Sequence, residues 1–134
     1  MQGRLLLIDD EESILDFLSL LFQQEGYEVE TARSVGDARR ALGRNGYDLI
    51  LCDVLMPDGN GLDLLREIKT AEPSPPVIMM TAYTSTKSAI EAMKLGAADY
   101  ISKPFDVDEL KIVVQKALER EELAHENVYL RREL

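Results

Sequence analysis

Basic residues are scarce in this chain. Fifteen lysines and arginines stand against 25 aspartates and glutamates over 134 residues, a formal charge of −10. DNA and anionic membranes are polyanions, so this balance argues against direct binding of either and permits binding of a cation. Cysteine occurs once, at Cys52, which excludes an intramolecular disulfide and a cysteine-rich zinc site. Histidine also occurs once, at His125, so no metal cluster of several histidines can form. No apolar stretch approaches the ~20 residues of a membrane span. The first apolar run, Leu5 to Ile8, meets acid at Asp9 and is too short for a signal peptide. There is no internal repeat and no low-complexity linker. The 46% apolar and 30% charged content fits one ordinary globular domain. A cytoplasmic location is expected.

What is abundant is acid in one place. Asp9, Asp10, Glu11 and Glu12 are adjacent, an arrangement that like-charge repulsion makes costly. The surrounding pattern gives this cluster a position. Leu5-Leu6-Leu7-Ile8 reads as a strand buried on both faces. Ile14, Leu15, Leu18, Leu21 and Phe22 follow at helical spacing, and Gly26 ends that helix. Tyr27 to Thr31 alternates like a half-buried edge strand. Ser34, with Asp37 three residues on, starts a second helix. Leu49 to Cys52 is another apolar strand, ending in acid at Asp53. Met56-Pro57-Asp58-Gly59-Asn60-Gly61 is loop chemistry. Leu62, Leu65 and Ile68 mark a third helix, Val77 to Met80 a strand ending at Thr81, and Ala89, Ile90 and Met93 a fourth helix closed near Gly96. Asp99 to Ser102 is a fifth strand ending at Lys103-Pro104, and Asp106 with Glu109 starts the last helix. Five βα repeats with apolar strands predict an α/β fold, a doubly wound five-stranded parallel sheet. Sites in such sheets form outside the carboxyl ends of the strands.

If all five strands are parallel, their ends converge. Asp9, Asp10 and Asp53 then bring three carboxylates, Thr81 a hydroxyl and Lys103 an ammonium to one crevice. Three carboxylates do not stay ionised together without a cation nearby. Oxygen-only ligands suit a hard ion such as Mg²⁺, which often bridges to phosphate. Carboxylate, metal, lysine and hydroxyl together suit phosphoryl transfer, where catalysis is mostly positioning and charge neutralisation.

The residues Asp9-Asp10-Glu11-Glu12, Asp53 with Met56-Pro57 and Gly61, Thr81-Ala82, and Lys103-Pro104-Phe105 occur in order across nearly the whole chain. In this set and spacing the chain resembles the receiver domain of bacterial two-component response regulators, a flavodoxin-like (βα)5 fold. The resemblance implies that Asp53 is the phosphoacceptor, with a phosphohistidine on a sensor histidine kinase as donor. It implies Asp10 as a direct Mg²⁺ ligand, Asp9 assisting through water, and the backbone carbonyl of Leu55 completing the set. Thr81 and Lys103 would bind the phosphoryl group, Tyr100 would be the aromatic switch, and the bond before Pro104 would be cis. Leu55 and Tyr83 would flank the phosphoryl group and set its lifetime. Such a domain is a signalling phosphoacceptor, not a turnover enzyme.

Plainer readings exist for single residues. Asp9 and Asp10 could serve only the dipole of the following helix. Thr81 could cap a strand, and Tyr100 could be a sheet aromatic. Cys52, Met79 and Met80 need no role beyond packing, and His125 is expected to be solvated. A flavodoxin-like cofactor binder would need a Gly/Ser/Thr-rich phosphate cradle after the first strand, where this chain has acid. An aspartate-dependent phosphohydrolase would need a substrate cap, for which little sequence remains.

The last helix is too long for the sheet. From Val107 to Leu134 it would run about 42 Å at 1.5 Å per residue. Leu110, Val113, Val114, Ala117 and Leu118 can face the sheet. Leu123, Asn127, Leu130 and Leu134 then recur as a short a/d seam. Residues 1–119 are therefore read as a receiver domain and 120–134 as a linker helix leading to an output domain beyond Leu134. A homodimer through this helix is expected. The stretch from Leu123 resembles the linker of sigma-54-dependent activators of the nitrogen-regulatory type, which reach DNA and sigma-54 RNA polymerase through further domains. A solvated amphipathic helix is the simpler alternative.

Overall fold

The computed structural model describes residues 3–71, 73–82 and 86–133, with side chains in the last helix as far as Leu123. In chain order the elements are β1 (Arg4–Ile8), α1 (Glu12–Gln24), β2 (Glu28–Ala32), α2 (Val35–Arg44), β3 (Leu49–Asp53), β4 (Leu55–Met56), β5 (Gly59–Asn60), α3 (Gly61–Thr70), β6 (Val77–Thr81), α4 (Thr86–Lys94), β7 (Asp99–Ser102) and α5 (Val107–Glu133).

Five strands form one sheet in the order β2-β1-β3-β6-β7, and every pairing in it is parallel. The alternation of side chains along each strand splits the core in two. Leu6 and Ile8 of β1 face a cluster with Ile50, Cys52 and Met79, covered by Val35, Ala38 and Ala41 of α2, by Leu62, Leu65 and Ile68 of α3, and by Ala92 of α4. Leu5 and Leu7 face the opposite cluster, with Leu51, Ile78 and Met80 under Leu15, Leu18 and Phe22 of α1 and Leu110, Val114 and Ala117 of α5. Burial on both faces explains why β1, β3 and β6 read as apolar runs. The strand order reverses at β1, so a crevice opens between the carboxyl ends of β1 and β3.

Local chemistry sets the element ends. Ser34 Oγ accepts the Asp37 amide at 3.0 Å, as its N-cap position predicts. Gly26 and Gly96 take positive φ (95° and 100°) and close α1 and α4. Around each, paired backbone bonds close the helix end: Gly26 to Gln23 and Tyr27 to Phe22, then Gly96 to Met93 and Ala97 to Ala92.

Three details depart from the sequence reading. The Met56–Gly61 stretch is not pure loop, because β4 and β5 pair antiparallel there, Leu55 opposite Asn60 and Met56 opposite Gly59. Tyr27 is not in the edge strand; it is buried just before β2, with its ring edge-on to Phe22 at 5.9 Å. In α4, the residues that mark the helix are not its anchor. Ile90 and Met93 are half exposed, and Ala92 is the buried residue. α5 is one helix of 27 residues, whose described residues beyond Leu118 leave the core, with Leu123 59% exposed. Among the described residues no helix is long and apolar enough to cross a membrane.

Candidate functional site

Backbone bonds carry the sheet one residue past several strands and place the site residues. The Asp9 amide bonds the Ala32 carbonyl, the Val54 amide the Met80 carbonyl, and the Lys103 amide the Thr81 carbonyl. Asp9, Asp53, Thr81 and Lys103 thus stand in a row along the carboxyl edge. Asp9, Asp53 and Thr81 are the only buried polar or charged residues among those described.

Lys103 ties the row together. Its Nζ lies 2.5 Å from Asp9 Oδ2 and 3.0 Å from Asp53 Oδ2. Asp9 Oδ1 accepts the Glu11 amide at 3.0 Å, and Asp53 Oδ1 accepts the Leu55 amide at 3.3 Å. Asp10 sits exposed at the mouth. Asp9, Asp10 and Asp53 each offer an oxygen, and these oxygens lie within 4.8 Å of one another.

Burial pushes the Asp53 carboxyl up, and the charge of Asp9 adds to this against the pull of Lys103. Burial also works against the Lys103 ammonium, but its bonds to Asp9 and Asp53 outweigh that and hold it above the ordinary lysine value. The phenol of Tyr100 is raised by burial and by the charge of Asp53, so this half-buried ring on β7 feels the acidic crevice. Burial pushes the Cys52 thiol up as well, with Asp53 and Asp9 adding to it, which keeps it neutral and suited to packing.

Three carboxylates and one ammonium leave two excess negative charges in a partly buried, oxygen-only crevice. That donor set fits a hard divalent cation of the Mg²⁺ kind. The family model of the response regulator receiver domain matches residues 5–115. The chain belongs to this family. Receiver domains bind Mg²⁺ at an acidic pocket and interact with histidine kinases, and the crevice has that composition. The chain is 37% identical over 132 residues to the regulatory protein AtoC of Escherichia coli (strain K12), covering 98% of this chain and 29% of AtoC. NtrX from Brucella abortus superposes with a TM-score of 0.89 at 35% identity, over 98% of this chain and 29% of NtrX. A receiver domain protein from Clostridium thermocellum superposes with a TM-score of 0.85 at 37% identity, over 91% of this chain and 98% of its own. The chain spans under a third of the length of the curated relatives it matches.

The receiver domain brings Asp9, Asp10, Asp53 and Lys103 together, with Thr81 at the end of β6 and Tyr100 on β7. The Lys103–Pro104 peptide is cis. Leu55 lies on β4 with its side chain exposed. Tyr83 and Leu134 lie outside the described residues, as do the side chains of Asn127 and Leu130. The sequence reading named Gly61 in its motif and Asp58 in a loop, and gave neither a role in the site. Gly61 lies so close to β3 that an added Cβ would meet the Asp53 carbonyl oxygen, and its amide bonds the Val54 carbonyl at 2.6 Å. Asp58 reaches α2, with Oδ1 accepting the Val35 amide at 2.8 Å and Oδ2 the Gly36 amide at 3.0 Å. The loop signature marked where the chain turns, but nothing in the sequence named α2 as the partner.

Proposed function

We propose that this receiver domain is a phosphorylation switch in which Asp53 accepts a phosphoryl group from a sensor histidine kinase. Asp9, Asp10, Asp53 and the backbone carbonyl of Leu55 would hold Mg²⁺. The observation that carries the reading is the convergence of three carboxylates on one small volume beside a buried lysine. When bound, the ion supplies charge neutralisation, so that two anions can meet.

Asp53 suits the acceptor role better than its neighbours. Asp9 is fully buried, with its oxygens held at 2.5 Å and 3.0 Å. Asp53 is 6% exposed, and its own contacts are longer, at 3.0 Å and 3.3 Å. In the transfer an Asp53 oxygen bonds to phosphorus, the phosphorus–nitrogen bond of the donor breaks, and the imidazole leaves with the electron pair. Lys103 would pair with the arriving group, and Thr81 would offer a hydroxyl donor. Tyr100 would follow the change in charge and turn inward. Leu55, with Tyr83, would limit the access of water, giving slow self-dephosphorylation and no steady turnover of phosphate esters.

Residues 1–119 form the switch in this reading, and 120–134 form a linker helix that pairs in a homodimer. The output domain would be that of a sigma-54-dependent activator in the cytoplasm, acting on DNA and sigma-54 RNA polymerase. Support comes from the sequence resemblance of residues 123–134 and from similarity to much longer proteins named as transcriptional regulators. The test is Asp53→Asn, whose amide is a far poorer nucleophile. Labelling by acetyl phosphate in Mg²⁺ is expected to vanish. Undiminished labelling of the variant at another residue would overturn the assignment.

A further inference from the structure

The segment Val54–Gly61 carries the Leu55 carbonyl, a Mg²⁺ ligand in the reading above, and it leaves the sheet directly after Asp53. Two residues of backbone pairing in β4 and β5 are a short hairpin, and such a ribbon is marginal by itself. Its near end is fixed by the close passage of Gly61 over Asp53. Its tip is fixed elsewhere. The Asp58 carboxylate bridges the Val35 and Gly36 amides, the first two residues of α2, and Gly59 packs against Val35, where a Cβ would stand 3.2 Å from Cγ2.

These amides are two of the donors that a helix start leaves without intrahelical partners. Ser34 takes the third, from Asp37. The helix therefore has a local cap of its own, and the contact from Asp58 spans 22 and 23 residues of sequence. A negative carboxylate at a helix N-terminus is favoured by the dipole as well as by the bonds. The contact ties the metal-side loop to a helix that packs on the sheet.

We propose that Asp58 is a positioning residue for the metal: by anchoring the hairpin tip to the N-terminus of α2, it holds the Leu55 carbonyl in place at the acidic crevice. The proposal rests on the Mg²⁺-assisted phosphoacceptor reading. Asp58 touches neither metal nor phosphoryl group and acts through the hairpin backbone.

The contrast of Asp58→Ala with Ser34→Ala tests it. Both remove capping bonds from α2, and only the first releases the hairpin. Mg²⁺ affinity is measured by calorimetric titration on the parent, both variants, Asp58→Asn and Asp10→Ala, with amide exchange followed at Val35, Gly36 and Gly61. The expected result is a loss of affinity of roughly tenfold in Asp58→Ala, the low end of what supporting contacts around a metal contribute. Asp58→Asn, which keeps one acceptor, is expected in between, and Ser34→Ala should match the parent. Faster exchange at Gly61 in Asp58→Ala alone would support the same mechanism. Equal affinity in Asp58→Ala and the parent, or equal losses in Asp58→Ala and Ser34→Ala, overturns the positioning role and leaves the phosphoacceptor reading standing. Parent binding that is undetectable, or indifferent to Asp10→Ala, overturns both.

Discussion

At Gly61 the chain passes so near Asp53 that no side chain fits between them. Gly61→Ala must push the start of α3 away from β3 or displace the acceptor's backbone. A loss of about 1–3 kcal/mol is expected for such overpacking, read by urea denaturation, together with weaker phosphorylation. Unchanged stability and unchanged labelling would mean that the approach is not tight. Asp58 makes a pH prediction. The Val35 amide, then the Gly36 amide, hold its carboxyl below the usual carboxylate range. The folded chain therefore gives up this proton more readily than the unfolded chain does. The stability that Asp58 contributes is present above its unfolded value, about 3.9, and is lost as pH falls through its folded value. Asp58→Asn should flatten the loss of stability across that acid range. Parallel pH curves for parent and variant would contradict the capping contact. The sequence showed Asp9, Asp10, Asp53 and Lys103 as a list of strand ends, because strand ends in a parallel sheet share an edge. It did not show that Lys103 binds Asp9 at 2.5 Å as well as Asp53, since that choice depends on side-chain geometry across 94 residues of sequence.

Among the elements, strands β1, β3 and β6 and helices α1, α2 and α3 were the most legible, because each buries a periodic apolar face or a continuous apolar run. The β4–β5 hairpin was not. Its residues, Pro57, Asp58 and Gly59 among them, carry strong turn chemistry, and two paired residues per strand leave no periodicity to read. α4 shows the converse. Ile90 and Met93 announced the helix, yet they are half exposed and Ala92 carries the packing, because a helix start and phase cannot be fixed from three apolar residues. α5 continues past the core with Leu123 in solvent. If Leu123, Leu130 and Leu134 form a seam with a second copy, each leucine contributes at ~25 cal/mol per Å² buried, less the cost of association. Sedimentation of the 134-residue chain is expected to show a dimer at tens of micromolar, and a chain cut after Arg120 a monomer. Monomers in both cases would remove the pairing role from the helix and leave it as a solvated linker.

For the molecule as a whole, function follows from topology. A parallel sheet must send every strand end to one edge, and the reversal at β1 opens that edge between β1 and β3. Apolar residues pack both faces of the sheet, and its carboxyl edge presents the acidic cluster, with Asp10 exposed at the mouth. The cost of gathering Asp9, Asp10 and Asp53 is partly offset by Lys103, and a divalent cation would offset the rest. The most direct measurement traps the product itself. The chain is phosphorylated with acetyl phosphate in Mg²⁺, reduced with borohydride, which converts an aspartyl phosphate to homoserine, and mapped by mass spectrometry. The account predicts homoserine at position 53 alone, and none when Mg²⁺ is withheld. Homoserine at position 9 or 10, or at 53 in equal amount without the metal, would contradict it.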